Sequence, residues 1–202
     1  MIKGPFSYSG NKYRIWNKYL KDVMKSYSRI HEPFVGSGVC MYNSNNGGNS
    51  IDIDLNVVAL HNALKDPGLV SKIEDCYNSY FLNSTDFKKS FLELRKDFNV
   101  LYSINGHTDS SNVHMLYVLL QLSFNSLLRF GPNGYNVPYG EKVFDLDRIK
   151  SHVNVVVNKD INVKHGTYRD LDLSNIDKEC PFVSTVIPFN FNFSDLSFIS
   201  SL

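Results

Sequence analysis

A glycine pair and two acids stand where a nucleoside-like ligand could be held. The stretch EPFVGSG at residues 32–38 follows a short apolar run, and Asp52 and Asp54 follow the next one. Glycines after a strand let the backbone approach a ligand, and an acid about twenty residues further on can accept both ribose hydroxyls. Met41 stands where a dinucleotide fingerprint has its third glycine. The pattern favours a nucleoside-containing ligand, and a tight turn with surface acids is the open alternative.

Two further segments combine aromatic, polar and basic residues. GPFSYSGNK at residues 4–12 could stack on a base and hold an anion, or could simply be the loop before a helix. FNSLLRFG at residues 124–131 leads into YNVPYG at residues 135–140. Arginine and asparagine beside aromatics can contact base edges and wedge a duplex, since arginine matches guanine bidentately. Ordinary core packing of the aromatics is the alternative.

The periodicity predicts how these residues are positioned. A helix over 11–28, a strand over 30–35, a helix over 39–43, a strand over 50–53 and a helix over 55–64 form the start of an α/β, doubly wound unit. The middle of the chain is helical, with further helices expected over 69–82, 85–102 and 114–128. A hairpin is expected within 129–140, because Pro-Asn-Gly separates two runs of aromatic residues. After the hairpin we expect a helix over 144–151 and strands over 153–157 and 161–164.

Composition limits the class of protein. Lys+Arg 21 against Asp+Glu 20 give a net charge of +1, yet residues 1–30 hold seven of the cations and only one of the acids. This asymmetry predicts a basic N-terminal segment that could meet an acidic partner. No apolar run approaches a membrane span, and three scattered cysteines predict neither a disulfide framework nor a zinc site. We expect a cytoplasmic protein with no membrane contact, no signal peptide and no metal.

The chain resembles the DNA adenine methylase family in the order of its motifs. These motifs are PFSYSGNK, EPFVGSG, IDID and FNSLLRF followed by NVPYG. These are GATC-class N6-adenine methyltransferases that use S-adenosylmethionine (SAM). The resemblance implies an α/β, Rossmann-like methyltransferase sheet and covers nearly all of the chain up to Val183. Departures are modest: GNK replaces the common GGK, and Tyr8 replaces a frequent tryptophan.

The resemblance also implies roles for single residues. SAM would be bound by matched residues of the first three motifs, namely Tyr8, Gly10, Lys12, Glu32, Pro33, Phe34, Gly36, Gly38 and Asp52. Duplex DNA would be contacted by residues of the fourth, namely Phe124, Asn125, Leu127, Arg129, Asn136 and Pro138, with Arg129 as the guanine-reading residue. Residues 1–65 and 149–190 would form a discontinuous SAM-binding, catalytic domain. Residues 66–148 would form a helical target-recognition domain with a hairpin loop, and 184–202 an atypical tail.

The family's catalytic Asp-Pro-Pro-Tyr motif does not occur in the sequence. It is expected near Ser184, Thr185, Val186, Ile187, Pro188 and Phe189, so no catalytic residue is assigned. One hypothesis is a shifted frame, because the codons ACT GTG ATC CCN after a T read Tyr-Cys-Asp-Pro one base earlier. The other is a divergent apolar strand and tail.

Two functions therefore stay open for the chain, which we expect to be a monomer. The first is a SAM-dependent DNA adenine-N6 methyltransferase whose catalysis is impaired by the missing motif. The second is a truncated, inactive remnant that only binds DNA, SAM or both. A different nucleoside enzyme on the same α/β start is a third interpretation, but it leaves the 124–140 loop unexplained.

Overall fold

Three parallel strands form the sheet that positions the site. The computed structural model describes residues 2–8, 12–25 and 27–170. Strands β1 (Ile30–Glu32), β2 (Gly47–Asp52) and β5 (Asp160–His165) lie in the order β1-β2-β5. The register pairs Ile30 with Gly48 and Gly48 with Ile161. Because the strands are parallel, their carboxyl ends meet at one edge, which we call the carboxyl edge of the sheet.

Short crossover helices cover this sheet. Helix α3 (Val39–Asn43) connects β1 to β2, and α4 (Leu55–Ala63) follows β2 and packs against β2 and β5. The Asp54 side chain caps α4 by accepting a hydrogen bond of 2.9 Å from the Asn56 amide. The strand–helix–strand–helix order was predicted from the sequence and is confirmed. The described residues form a mixed α/β structure that is compatible with a methyltransferase fold.

The middle of the chain is helical, as expected. Helices α5 (Leu69–Phe81) and α6 (Phe87–Asn105) pack against α7 (Val113–Leu122), which also contacts α4. Nearly every residue of α7 is buried, which matches its largely apolar sequence. The buried side chains of these helices and of the sheet form one continuous hydrophobic cluster.

A small hairpin and a last helix complete the described chain. A 3-10 turn (Phe124–Ser126) leads into strands β3 (Phe130–Gly131) and β4 (Gly134–Tyr135), so the predicted hairpin is confirmed. Helix α8 (Leu146–Asn158) then leads into β5, after which a second 3-10 turn spans Tyr168–Asp170. No helix within residues 2–8, 12–25 and 27–170 is long and apolar enough to cross a membrane.

The N-terminal helix is less regular than predicted. It comprises α1 (Tyr13–Ile15), a π-helical stretch (Trp16–Leu20) and α2 (Lys21–Met24). Trp16 is buried, while Lys18 and Lys21 lie exposed. The predicted helix is therefore present over residues 13–24, with a widened π-helical turn at its centre.

Other predicted boundaries were wrong. Residues 153–157 are helical, because Asp145 caps α8 and its buried residues Ile149, His152 and Val156 follow helical spacing. Helix α7 ends at Leu122 rather than residue 128, because the backbone is already extended at Ser123, with ψ 159°. Strand β2 begins at Gly47 rather than residue 50, and β1 ends at Glu32 rather than residue 35.

Gly48 tests the register of the sheet. A Cβ placed there would lie 1.8 Å from the Ile30 carbonyl oxygen, at φ 152°. We expect Gly48→Ala to destabilise the protein by about 3 kcal/mol through steric overlap and backbone strain. The neighbouring Asn49 is exposed, so Asn49→Ala should change the free energy of unfolding by only about 0.5 kcal/mol. Urea denaturation compares the two, and equal effects would contradict the register.

Candidate functional site

Asp52 organises the carboxyl edge of the sheet. It ends β2 and is almost fully buried. Its Oδ2 accepts a hydrogen bond of 3.0 Å from the Gly36 amide, and its Oδ1 accepts one of 3.0 Å from the Asp54 amide. Burial raises the pKa of the Asp52 carboxyl, while these two amide bonds act in the opposite direction. Each carboxylate oxygen keeps a further lone pair, so the side chain can still accept hydrogen bonds from a ligand.

Gly36 and Tyr8 meet at this acid. The turn after β1 places Gly36 at φ 48° and Gly38 at φ 68°, which are conformations that favour glycine. A Cβ on Gly36 would come within 2.9 Å of the Tyr8 ring, so the ring packs directly on this backbone. Burial, followed by the charges of Asp52 and Asp54, raises the pKa of Tyr8 to about 12. The structure thus brings Tyr8, Gly36 and Asp52 together.

Lys12 and Glu32 form a buried ion pair beneath the same turn. The Lys12 Nζ lies 3.8 Å from Glu32 Oε1 and donates a hydrogen bond of 3.2 Å to the Phe34 carbonyl. Glu32 Oε2 accepts a hydrogen bond of 3.0 Å from the Met41 amide, which ties the strand end to α3. Desolvation raises the pKa of Glu32 to about 7, against the opposing effect of Lys12. Pro33 is buried beside them and Phe34 is half-buried.

His61 is part of this site although it belongs to none of the sequence motifs. Its Nε2 lies 2.7 Å from the Gly36 carbonyl oxygen and its Nδ1 lies 2.7 Å from the Tyr42 hydroxyl. Because a carbonyl only accepts, Nε2 carries the proton, and Tyr42 donates to Nδ1. Burial lowers the pKa of His61 to about 4, so the ring is neutral at physiological pH. The one feature of the sequence that could have indicated this role is a histidine within the largely apolar helix α4.

A second group of predicted residues lies on the turn after α7 and the hairpin that follows. The Phe124 side chain is exposed, and its amide donates a hydrogen bond of 2.9 Å to the carbonyl of Pro138, which is also exposed. Asn125 is exposed with a left-handed backbone at φ 54°. We call the surface formed by Phe124, Asn125, Leu127, Arg129, Asn136 and Pro138 the hairpin surface.

Arg129 is held in place on the hairpin surface. Its Nε donates a hydrogen bond of 2.8 Å to the Asn136 side-chain oxygen, and its Nη2 donates one of 3.2 Å to the Asn136 carbonyl. Both side chains are exposed. Beneath them, Asn99 of α6 exchanges two hydrogen bonds with the Tyr135 backbone, at 2.7 Å and 3.0 Å. The arginine is therefore presented to solvent from a rigidly supported hairpin.

A backbone contact joins the two groups. Ser7, next to Tyr8, forms an isolated parallel bridge with Leu127 of the hairpin surface. The Tyr135 hydroxyl donates a hydrogen bond of 3.0 Å to the Leu127 carbonyl and so supports this junction from the other side. Residues near the carboxyl edge and residues of the hairpin surface thus belong to one connected arrangement.

Some predicted positions lie outside the described residues. These are Gly10 and the stretch from Ser184 to Phe189, together with the rest of the proposed tail. Within the described part of the chain, no cluster of three or more His, Cys, Asp or Glu side chains could hold a metal ion.

The buried Glu32 carboxyl predicts an unusual pH dependence of stability. Its pKa is raised from 4.5 to about 7 on folding, so the folded state binds this proton more tightly. Stability should therefore fall as pH rises through this window. Urea titrations measure the free energy of unfolding of the unaltered protein, here called the parent, and of Glu32→Gln. We expect the difference, parent minus variant, to fall by up to about 3 kcal/mol from pH 4.5 to 7.

His61 provides a control in which stability should change with pH in the opposite direction. Its pKa is lowered from 6.5 to about 4 on folding, so its contribution to stability is lost as pH falls through this window. The parent, relative to His61→Gln, should therefore gain stability as pH rises from 4 to 6.5. A difference curve for Glu32→Gln that stays level would contradict the desolvated carboxyl.

Comparison with known proteins identifies the family. A family model described as D12 class N6 adenine-specific DNA methyltransferase matches residues 8–178. A search of curated protein sequences finds no significant match. The matched range contains the carboxyl edge and the hairpin surface, and it confirms the resemblance that the sequence motifs indicated. The chain therefore belongs to the family of D12 class N6 adenine-specific DNA methyltransferases.

Proposed function

We propose that the chain binds SAM at the carboxyl edge of the sheet and adenine-containing duplex DNA at the hairpin surface. Family membership implies N6-adenine DNA methylation in general, with SAM as methyl donor. The observation that carries the finer proposal is the Ser7–Leu127 bridge, which connects the segment of Tyr8 to the loop of Arg129. A cofactor site and a DNA-reading loop must adjoin if a methyl group is to pass between their ligands.

The donor set of the carboxyl edge suits a nucleoside. Asp52 offers two carboxylate oxygens already oriented by the Gly36 and Asp54 amides, and such an acid can accept both ribose hydroxyls. Tyr8 presents a half-buried ring beside them. SAM supplies an activated methyl group when it is bound. The Lys12–Glu32 pair and His61 would act on the turn itself, because their contacts go to Phe34, Met41 and Gly36 rather than outward.

The chemistry of the hairpin surface suits the major groove. The exposed Arg129 guanidinium, aligned by Asn136, can donate two parallel hydrogen bonds to guanine O6 and N7. The exposed Phe124 can insert beside a base whose partner has been flipped out. We propose that this surface reads a short site such as GATC, and that residues 66–148 serve as the target-recognition part between two pieces of the SAM-binding part.

A second candidate function rests on a sequence observation. In the family, the Asp carboxylate and a proline carbonyl of the catalytic Asp-Pro-Pro-Tyr motif would accept hydrogen bonds from the adenine amine. The 202 residues contain no such motif. We propose that this polypeptide binds SAM and DNA but transfers methyl groups weakly or not at all. Labelled SAM and an unmethylated GATC duplex distinguish the two candidates. Methyl transfer by this polypeptide alone at a rate well above background would contradict the proposal that its catalysis is impaired.

Asp52→Asn tests the cofactor half. The amide keeps the size of the side chain but loses one acceptor and the charge, so SAM affinity should fall roughly 10- to 150-fold, as for a lost hydrogen bond to a charged group. Asp54→Asn is the matched control, because asparagine also caps helix α4. Isothermal titration calorimetry measures both. Equal affinity in the two variants would contradict a ribose-binding role of Asp52.

Arg129→Lys tests the DNA half. Lysine keeps the charge but loses the bidentate fork, so non-specific binding should be kept while discrimination between GATC and a scrambled duplex falls by about 1–3 kcal/mol. Fluorescence anisotropy at one fixed salt concentration compares both duplexes for both proteins. A parent that distinguishes the duplexes as poorly as the variant would contradict base reading by Arg129.

A further inference from the structure

A basic cavity of about 470 Å³ lies beside the carboxyl edge and has no role in the site described above. Its walls come from the N-terminal segment, from α1, from the turn before α3 and from the first turn of α8. Lys3, Arg14 and Arg148 line it together with the hydroxyl-bearing residues Ser7 and Ser37. Neither Tyr8 nor Asp52 lines it, so it is separate from the proposed ribose position.

The cations of this cavity form no close ion pair with the described acids, and Asp145 acts on Arg148 only from beyond 4.0 Å. Among the described residues, no carboxylate lies within 4.0 Å of the charged groups of Lys3, Arg14 or Arg148. None of the residues that line the cavity is acidic. Three positive side chains that line a common space with no acid in its wall repel each other, and an anion bound there would relieve that repulsion.

Arg148 is fixed in position by the fold. Its Nη2 donates a hydrogen bond of 3.0 Å to the Gly4 carbonyl, and the side chain is half-buried. Four residues later, His152 lies 2.6 Å by its Nε2 from the Lys3 carbonyl oxygen. Burial lowers the pKa of the Arg148 guanidinium, and the group remains charged. The N-terminal segment is thus held against α8, so the cavity is preformed rather than a gap between loose ends.

The cavity lies near the carboxyl edge and the hairpin surface, where we propose that SAM and DNA bind. Helix α3 starts at that edge, directly after the turn of Gly36, and Lys159 at the end of α8 donates a hydrogen bond of 2.9 Å to the Tyr42 carbonyl near the end of α3. Val39 in the first turn of α3 and Arg148 in the first turn of α8 both line the cavity, which places it near the carboxyl edge. Ser7 both lines the cavity and pairs with Leu127, so the cavity borders the hairpin surface.

We propose that this cavity binds a backbone phosphate of the duplex held at the hairpin surface, with Lys3, Arg14 and Arg148 as its cationic ligands. The inference rests on the proposed DNA-binding function. A phosphodiester is the oxyanion that such a duplex must bring to this border, and contacts of this kind set the register of a protein on DNA without reading sequence. The volume accommodates a phosphate with part of its sugar.

The double variant Lys3→Gln/Arg14→Gln tests the proposal, since both side chains are exposed and their loss leaves the core intact. Anisotropy titrations of a GATC duplex and a scrambled duplex from 50 to 200 mM NaCl give the salt dependence. Loss of one phosphate contact should reduce the slope of log K against log [salt] by about 0.9 and the affinity at 0.1 M salt by about 8-fold, equally for both duplexes. Lys21→Gln removes an exposed cation outside the cavity and should leave the slope unchanged.

A scan with single methylphosphonate linkages locates the contact. One neutral linkage should weaken binding to the parent and have little effect on the double variant. An unchanged slope in the double variant, or a slope lowered equally by Lys21→Gln, would overturn the proposal. SAM affinity should be the same in parent and double variant. If SAM affinity falls instead, the cavity binds the carboxylate of the cofactor and the phosphate assignment is wrong.

The same experiment separates this inference from the proposed function. If the parent binds neither duplex, both the DNA-binding function and the phosphate site are overturned. If the parent binds DNA with an ordinary salt dependence that the double variant shares, the function stands and only the phosphate site is rejected.

Discussion

The position of the Gly36 peptide is the constraint on which the rest of the site depends. Its amide donates to Asp52 at the end of β2, its carbonyl accepts from His61 of α4, and its Cα lies beneath the Tyr8 ring. Three separate elements therefore meet at one residue without a side chain. Any larger residue would displace Tyr8, and loss of either hydrogen bond would leave a buried polar group unpaired. The turn is thus preorganised before any ligand arrives.

Burial of charge accompanies this preorganisation. Glu32 and Lys12 are almost completely buried and face each other at 3.8 Å, and Asp52 is buried with two amide donors. Desolvation alone would favour the neutral forms of such groups, so each ionised acid needs compensating partners. Those partners are backbone amides of the turn and of α3, which links the electrostatic balance of the site directly to the path of the chain.

The hairpin surface follows the same principle on the outside of the molecule. Its residues other than the half-buried Leu127 are exposed, whereas the residues that hold the hairpin come from the helical core. Asn99 and Arg95 of α6 bond to the backbone of Tyr135 and Val137, and Tyr135 itself is buried. An exposed arginine on a flexible loop would lose conformational entropy on binding, while one aligned by Asn136 has already lost part of it. The helical middle of the chain thus positions the exposed arginine as well as burying apolar surface.

Residue types and spacing alone determined much about this protein. Glycines after a strand, acids after the next strand and an arginine beside a Pro-Asn-Gly turn indicated the family, which the family match confirms. They also predicted the strand–helix order and the hairpin, because local periodicity and turn chemistry act within a few residues. The N-terminal charge asymmetry was visible in the same way.

The tertiary structure decided what depends on residues far apart in sequence. It made residues 153–157 part of a helix, because the buried face of α8 outweighs the strand preference of its valines. It placed His61 against Gly36, 25 positions away, and Arg148 against Gly4, 144 positions away. No periodicity encodes such pairs, since they arise only when separate elements pack onto one sheet edge. The sequence therefore determined the chemical groups and their local elements, and the packing of those elements decided which groups meet.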